Sequence, residues 1–210
     1  EASWDAAFDE LAGRLATLAA ESGPDSIGVF GSGALTNEKA YLLGKFARVA
    51  LRTANIDYNG RFCMASAAAA SNRAFGVDRG LPFPLSDLAV TDTLVLWGAN
   101  PADTMPPLMR WVDRMRSRRG RLIVVAPRVT ATAAVADRHV RPRPGTDLAV
   151  ALGLLHLVIG SGLVDRTYVR DRTVGFERVA ESVGTWTPEA VERVSGVPGP
   201  DLEALVDALA

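Results

Sequence analysis

Among the residues able to do chemistry, one thiol stands apart. Cys63 is the single cysteine of a 210-residue chain and lies in DYNGRFCMASAAAA, residues 57 to 70, between an Asn-Gly turn and an alanine run. Such a cysteine is either a small buried hydrophobe or a thiolate that binds a metal or attacks a substrate. The residue alone leaves both readings open. Four other segments combine backbone freedom with groups that recognise ligands: Gly31-Ser32-Gly33, Trp97-Gly98-Ala99-Asn100, Ala126-Pro127-Arg128 and Pro144-Gly145-Thr146-Asp147. GSGALT opens like the dinucleotide fingerprint G-x-G-x-x-G but puts Thr36 where the third glycine belongs, so a plain tight turn explains it equally well. Trp97 offers a flat ring and Asn100 an amide that donates and accepts. Asp147 is either a helix cap or a bidentate acceptor for the amidine edge of a guanine. His139 and His156 support no catalytic reading, and His156 falls on an apolar run.

These groups need elements to position them. Trp4, Phe8, Leu11, Leu15 and Leu18 recur at helical steps, with Ser3 to cap the start and Gly23-Pro24 to end it. SIGVFG at 26–31 is predicted as a short strand. Thr36 caps a helix carrying Leu42, Leu43, Phe46 and Val49; residues 55–60 form a turn, and a third helix runs from Cys63 to about Phe75. GVDRGLPFP is a loop. From Asp92 the pattern alternates: strand TLVLWG, a helix from Pro106-Pro107, strand RLIVVAP, the small-residue stretch VTATAAVAD, then HVRPRPGTD leading to an apolar helix from Leu148 to Ile159. Smaller helices follow near 176–183, 188–194 and 200–209. The expected fold is α/β, a doubly wound, mainly parallel Rossmann-like sheet preceded by a smaller α/β segment. Residues 1–58 form that segment, and 59–210 form the Rossmann-like domain. In such a sheet ligands sit outside the carboxyl ends of the strands, where the four segments fall.

Composition narrows the classes. The 23 basic and 24 acidic residues nearly cancel, so no net field recruits nucleic acid or an anionic membrane; RMRSRRGR at 114–121 reads as a solvated helix end. One cysteine excludes an internal disulfide framework and a cysteine-only iron–sulfur or zinc site built from these residues. No apolar run reaches the roughly 18 residues of a membrane span, and no signal-peptide pattern opens the chain. A cytoplasmic location is expected.

GSGALTNEKAYLLGKFARVAL, NIDYNGRFCMASA, LWGANPADTMPP and RPGTD occur in the order and spacing of the molybdopterin oxidoreductases, and within them resemble the assimilatory nitrate reductases. The resemblance covers nearly the whole chain. It implies a molybdenum ion held by the dithiolenes of two molybdopterin guanine dinucleotides (the bis-molybdopterin guanine dinucleotide cofactor), with Cys63 as a further metal ligand. Soft sulfur suits that metal, and coordination keeps a thiol deprotonated. Cofactor contacts are implied at Gly33, at Asn59, and along Trp97, Gly98, Ala99, Asn100, Pro101 and Thr104. They are further implied at Pro127, Arg128 and Thr130, and at Gly145, Thr146 and Asp147. Arg61 supports either the turn or an anionic group. The similar formate dehydrogenases place a histidine directly after the ligand position, where it can handle a proton; here that residue is Met64. The implied activity is therefore reduction of nitrate to nitrite by oxygen-atom transfer, with electrons from a donor protein or subunit.

Three departures qualify the resemblance. Ala126 stands where relatives often carry aspartate, and Ala34 where the periplasmic nitrate reductases carry a cofactor-contacting glutamine. The cysteine-rich segment for a four-iron–four-sulfur ([4Fe–4S]) cluster and the domain that clamps the second dinucleotide are not among these residues, so the segment alone is expected to be inactive. A formate dehydrogenase-like subunit is the alternative within the family. A Rossmann NAD(P) oxidoreductase lacks its third glycine here and its acidic strand end, since FARVALRTA reads as helix. A non-catalytic scaffold would leave Cys63 buried and inert.

Overall fold

In the computed structural model of the chain, residues 1–78 and 82–210 are described, and they form two compact units that divide between Pro82 and Phe83. The division falls later than the expected boundary at 58/59. Residues 56–58 pair with the preceding strand, which keeps the Cys63 segment in the first unit.

In the first unit, α1 (Trp4–Ser22) starts at Ser3, whose hydroxyl accepts the Ala6 amide at 3.2 Å. Its predicted apolar stripe faces outward: Trp4 is 79% exposed and Phe8 59%. Strand β1 (Val29–Gly31) leads through Ser32–Thr36 into α2 (Asn37–Lys45), which Thr36 caps by accepting the Lys39 amide. One π turn over Phe46–Ala50 closes the helix, with Leu51 N–H donating to the Phe46 carbonyl. The turn expected at 55–60 is instead strand β2 (Ile56–Tyr58), parallel to β1 with Val29 opposite Ile56. Three residues are too few to show a period in sequence, and Asn-Gly at 59–60 is by itself a turn signal. A single turn α3 (Gly60–Cys63) and α4 (Ala65–Phe75) follow; α4 ends at Gly76 in the left-handed region. Part of the predicted GVDRGLPFP loop, residues 79–81, lies outside the described residues.

The second unit is a three-stranded parallel sheet in the order β3-β4-β5, with β3 at Thr93–Trp97, β4 at Arg121–Val125 and β5 at Arg138–Val140. Between β3 and β4 lie α5 (Pro101–Thr104) and α6 (Pro106–Ser117); between β4 and β5 lies α7 (Ala131–Ala134). After β5 come α8 (Asp147–Gly160), α9 (Arg166–Arg172), α10 (Phe176–Ser182), α11 (Pro188–Ser195) and α12 (Gly199–Leu209). Strand β4 is the buried centre, and its side chains alternate between two layers. Leu122 and Val124 pack with Val112 and Met115 of α6; Ile123 and Val125 pack with Val150 of α8, Val191 of α11 and Leu202 and Leu205 of α12. Helices thus cover both faces, as a parallel sheet requires. Strand β3, predicted as buried, is a half-buried edge strand. The described strands run in order without reversal, so it is the parallel carboxyl edge, and no switch point, that gathers the loops.

Candidate functional site

In the first unit, the carboxyl ends of β1 and β2 bring Gly33, Asn59, Arg61 and Cys63 onto neighbouring segments. The Gly33 amide donates to Asn59 Oδ1 at 2.6 Å, tying the glycine loop to the turn that carries the cysteine. Asn59 heads α3 without capping it by its side chain; its carbonyl accepts the amides of Phe62 and Cys63 at 3.1 and 2.9 Å. A Cβ at Gly60 would fall on the Tyr58 ring where it lies, so a larger residue there would have to turn the ring aside. Phe30 and Phe62 add a tilted ring contact between β1 and α3, centroids 5.6 Å apart.

Two roles are open to Arg61, support of the turn or contact with an anionic group. Its Nε donates to Asp57 Oδ2 at 2.7 Å, and Asp57 Oδ1 accepts the Tyr58 amide at 2.9 Å, so the guanidinium braces the turn. The Arg61 hydrogen bond, followed by the Tyr58 amide, holds the Asp57 carboxyl below its ordinary range; the same partner raises Arg61. Cys63 is free and exposed at the end of α3, beside Met64, which is 43% exposed. The buried-hydrophobe reading of this thiol is not what the structure shows. A cavity of about 480 Å³ opens beside the same edge, lined by Ser32, Gly33, Asn37, Asp57 and Tyr58 among others.

In the second unit, three loops leave the carboxyl edge of β3-β4-β5 and carry the remaining candidates. Gly98 sits at φ +65°, a conformation a side chain would strain, and its amide donates to the Val125 carbonyl at 2.9 Å. Asn100 turns inward: its Oδ1 accepts the Thr132 hydroxyl at 2.7 Å, and its amide donates to Asp103. Thr132 Oγ1 in turn accepts the Ala102 amide, so this network fixes the loop against α7 and leaves Ala99 half-buried within it. Pro101 is buried at the first turn of α5, and the Thr104 hydroxyl donates to the Asn100 carbonyl. On the second loop Pro127 and Arg128 are exposed, and Thr130 caps α7 through the Ala133 amide. His139 Nε2 donates to the Ala126 carbonyl at 2.9 Å, and His156 Nδ1 to that of Val183 at 3.0 Å; both are anchors. On the third loop Gly145 leads to Thr146, which holds the cap position of α8 but turns its hydroxyl to the Arg143 carbonyl at 2.6 Å. Asp147 is therefore not the cap, and its Oδ1 accepts the Trp97 indole N–H at 2.7 Å. Sequence reasoning missed Asp57, Thr132 and Arg143, whose partners are distant or whose types carry no motif. A larger cavity, about 600 Å³ and lined by residues of α9 and α10, holds none of the candidates.

Fold and loops define the class: α/β, parallel, with the candidate loops leaving the carboxyl edge of the strands. The chain belongs to the molybdopterin oxidoreductase family, whose model matches residues 1–192. It is 43% identical over 179 residues, 85% of the chain, to the assimilatory nitrate reductase catalytic subunit of Bacillus subtilis. It is 42% identical over 99% of its length to the assimilatory nitrate reductase of Haloferax mediterranei. Formate dehydrogenase H of Escherichia coli is 32% identical over 95% of the chain. The acetylene hydratase of Pelobacter acetylenicus superposes with a TM-score of 0.65 over 98% of the chain at 26% identity. The chain spans only 25% and 29% of the two assimilatory relatives and 28% of the hydratase. Among the described residues, no helix is long and apolar enough to cross a membrane.

Among the described residues, no group of three or more His, Cys, Asp or Glu could hold a metal. The exposed thiol of Cys63 is a soft donor of the kind that suits molybdenum, so the family's molybdenum–pterin cofactor fits the donor present.

Proposed function

We propose that this chain is part of the catalytic subunit of a cytoplasmic molybdenum nitrate reductase, which reduces nitrate to nitrite at a bis-molybdopterin guanine dinucleotide site. The observation that carries the reading is Cys63 itself: an exposed, free thiol on a braced turn, followed by a residue that cannot titrate. When bound, the cofactor supplies the two-electron oxygen-atom transfer. Cys63 gives the metal a thiolate; Asn59 and Gly33 fix the turn that presents it; Arg61, spent on Asp57, keeps that turn in shape. Gly98 and Gly145 allow close backbone approach to a dinucleotide, and Asp147 accepts from a guanine. Arg128, exposed and without a carboxylate partner among the described residues, meets the cofactor's phosphates. Met64 places no proton acceptor beside the metal ligand, which favours nitrate over formate: oxygen transfer needs no base at carbon. The greater identity to the two assimilatory nitrate reductases, 42–43% against 31–33% for the formate dehydrogenases, supports the same choice. The rest of the subunit, a [4Fe–4S] cluster outside these residues and an electron-donor protein complete the system, and the chain alone is inactive.

The test is molybdenum content of the full-length subunit and its Cys63→Ser form, with reduced-viologen assays on nitrate and formate. Metal present in the parent, nitrate turnover lost on substitution, and a thiol shielded from alkylation only when metal is loaded are expected. A parent without molybdenum, or a Cys63→Ser form with full nitrate turnover, overturns the ligand role; formate turnover in place of nitrate moves the protein to the formate branch.

A further inference from the structure

We infer that Trp97 is a positioning residue for Asp147: its indole N–H holds one carboxylate oxygen, so that the pair presents a fixed acceptor edge to guanine. This rests on the guanine contact proposed above. Trp97 ends β3 with its ring half-buried and packed against the core formed with α8, α11 and α12. The ring is thereby part of the core, and what it offers outward is the N–H, 2.7 Å from Asp147 Oδ1.

Asp147 is free for this use. The cap position of α8 belongs to Thr146, and the exposed carboxylate serves no intrahelical bond. A carboxylate has about four acceptor directions, so one indole N–H leaves both oxygens able to accept. Because that N–H only donates, it restrains the carboxylate from one side and leaves its remaining acceptor directions open. The backbone beneath is held from the other side. Arg143 donates its guanidinium to the Arg193 and Val194 carbonyls at 3.0 and 3.2 Å and its amide to the Ser195 carbonyl at 2.8 Å. The acceptor edge is thus set by β3 on one side and by the end of α11 on the other. Guanine offers N1–H and an exocyclic amine to such an edge; hypoxanthine lacks the amine.

The experiment measures equilibrium binding of GDP and IDP to the full-length subunit prepared without cofactor. The wild type should prefer GDP by about tenfold, within the range of a good bidentate base contact. Asp147→Asn should bring the ratio near unity. Trp97→Phe, which keeps a ring and loses the N–H, should cut the ratio by about threefold or more, with unchanged thermal unfolding as the check that the variant is folded. The double variant should lose no more than Asp147→Asn alone. A full GDP preference in Trp97→Phe, with the preference abolished in Asp147→Asn, overturns the positioning role and leaves the guanine contact standing. A wild type without GDP preference, or Asp147→Asn retaining it, sinks the guanine contact and the role of Trp97 with it. Should Trp97→Phe fail to fold, solvent exchange of the wild-type indole proton decides: GDP should slow it more than IDP does, and equal effects overturn the inference.

Discussion

The Gly33 amide and Asn59 Oδ1, 26 residues apart in sequence, meet at 2.6 Å and close the carboxyl edge of the β1–β2 pair. Both partners are exposed, so the bond contributes about 1 kcal/mol or less to stability. Its effect is local: it decides where the turn bearing Cys63 sits. Asn59→Ala should change the melting temperature little while speeding hydrogen exchange at the Gly33 amide and lowering molybdenum occupancy of the full-length subunit. Asn59→Asp keeps an acceptor at the same reach and should preserve slow exchange. Equal exchange at Gly33 in all three forms would show that the bond does not hold the loop.

The Asp57–Arg61 pair gives this turn a pH dependence. Because the Arg61 guanidinium, then the Tyr58 amide, hold the Asp57 carboxyl below its ordinary value, the ionised pair stabilises the folded turn. That contribution is fully present above the ordinary carboxylate range and is lost as pH falls through the lowered value. A carbon-13 titration of the Asp57 carboxyl should show a midpoint below that of a free aspartate, moving up in Arg61→Ala. Both groups are solvent-accessible, so salt should shrink the difference. A midpoint at the free value in the parent would mean that the pair does not persist in solution.

Much of this was legible in the residues, for identifiable reasons. Helices α1, α2, α6 and α8 announce themselves because capping and periodicity are local: Ser3 and Thr36 bond amides three residues on. Strand β2 and helix α3 are too short for any period, and they carry the cysteine. The loops were placed correctly because their glycines and the strand ends before them are sequence features. What they bind to within the chain was not legible. Asn100 shows in sequence only an amide that donates and accepts, yet Thr132, 32 residues away, bonds its side chain; Asp147 offers a cap or a base acceptor, yet Trp97, 50 residues away, bonds it. Such pairs are set by the register of β3, β4 and β5, which a motif does not encode. The outward face of α1 shows the same limit: periodicity finds an apolar stripe without telling what covers it.

The end of α6 supplies a prediction about stability alone. Glycine is the usual left-handed residue at a helix end, yet here it is Arg119 that adopts φ +69°, one of two non-glycine residues with positive φ among the described residues. Its amide donates to the Arg116 carbonyl at 2.9 Å, and the Gly120 amide to that of Met115 at 3.0 Å, which completes the stop. Gly120 is needed for a different reason: a Cβ there would press on the Met115 side chain and lie 2.9 Å from the Thr91 carbonyl oxygen. A left-handed residue with a side chain costs roughly 1–2 kcal/mol, and part of the gain from removing it is offset by the freedom glycine adds to the unfolded chain. Arg119→Gly should therefore stabilise the fold by about 0.5–1 kcal/mol, read as a rise in Tm. Gly120→Ala should destabilise it through the overlap. Thermal unfolding of the two variants of the full-length subunit checks the pair, and the opposite order, with Arg119→Gly the less stable, would show that Arg119 makes a contact worth more than its strain.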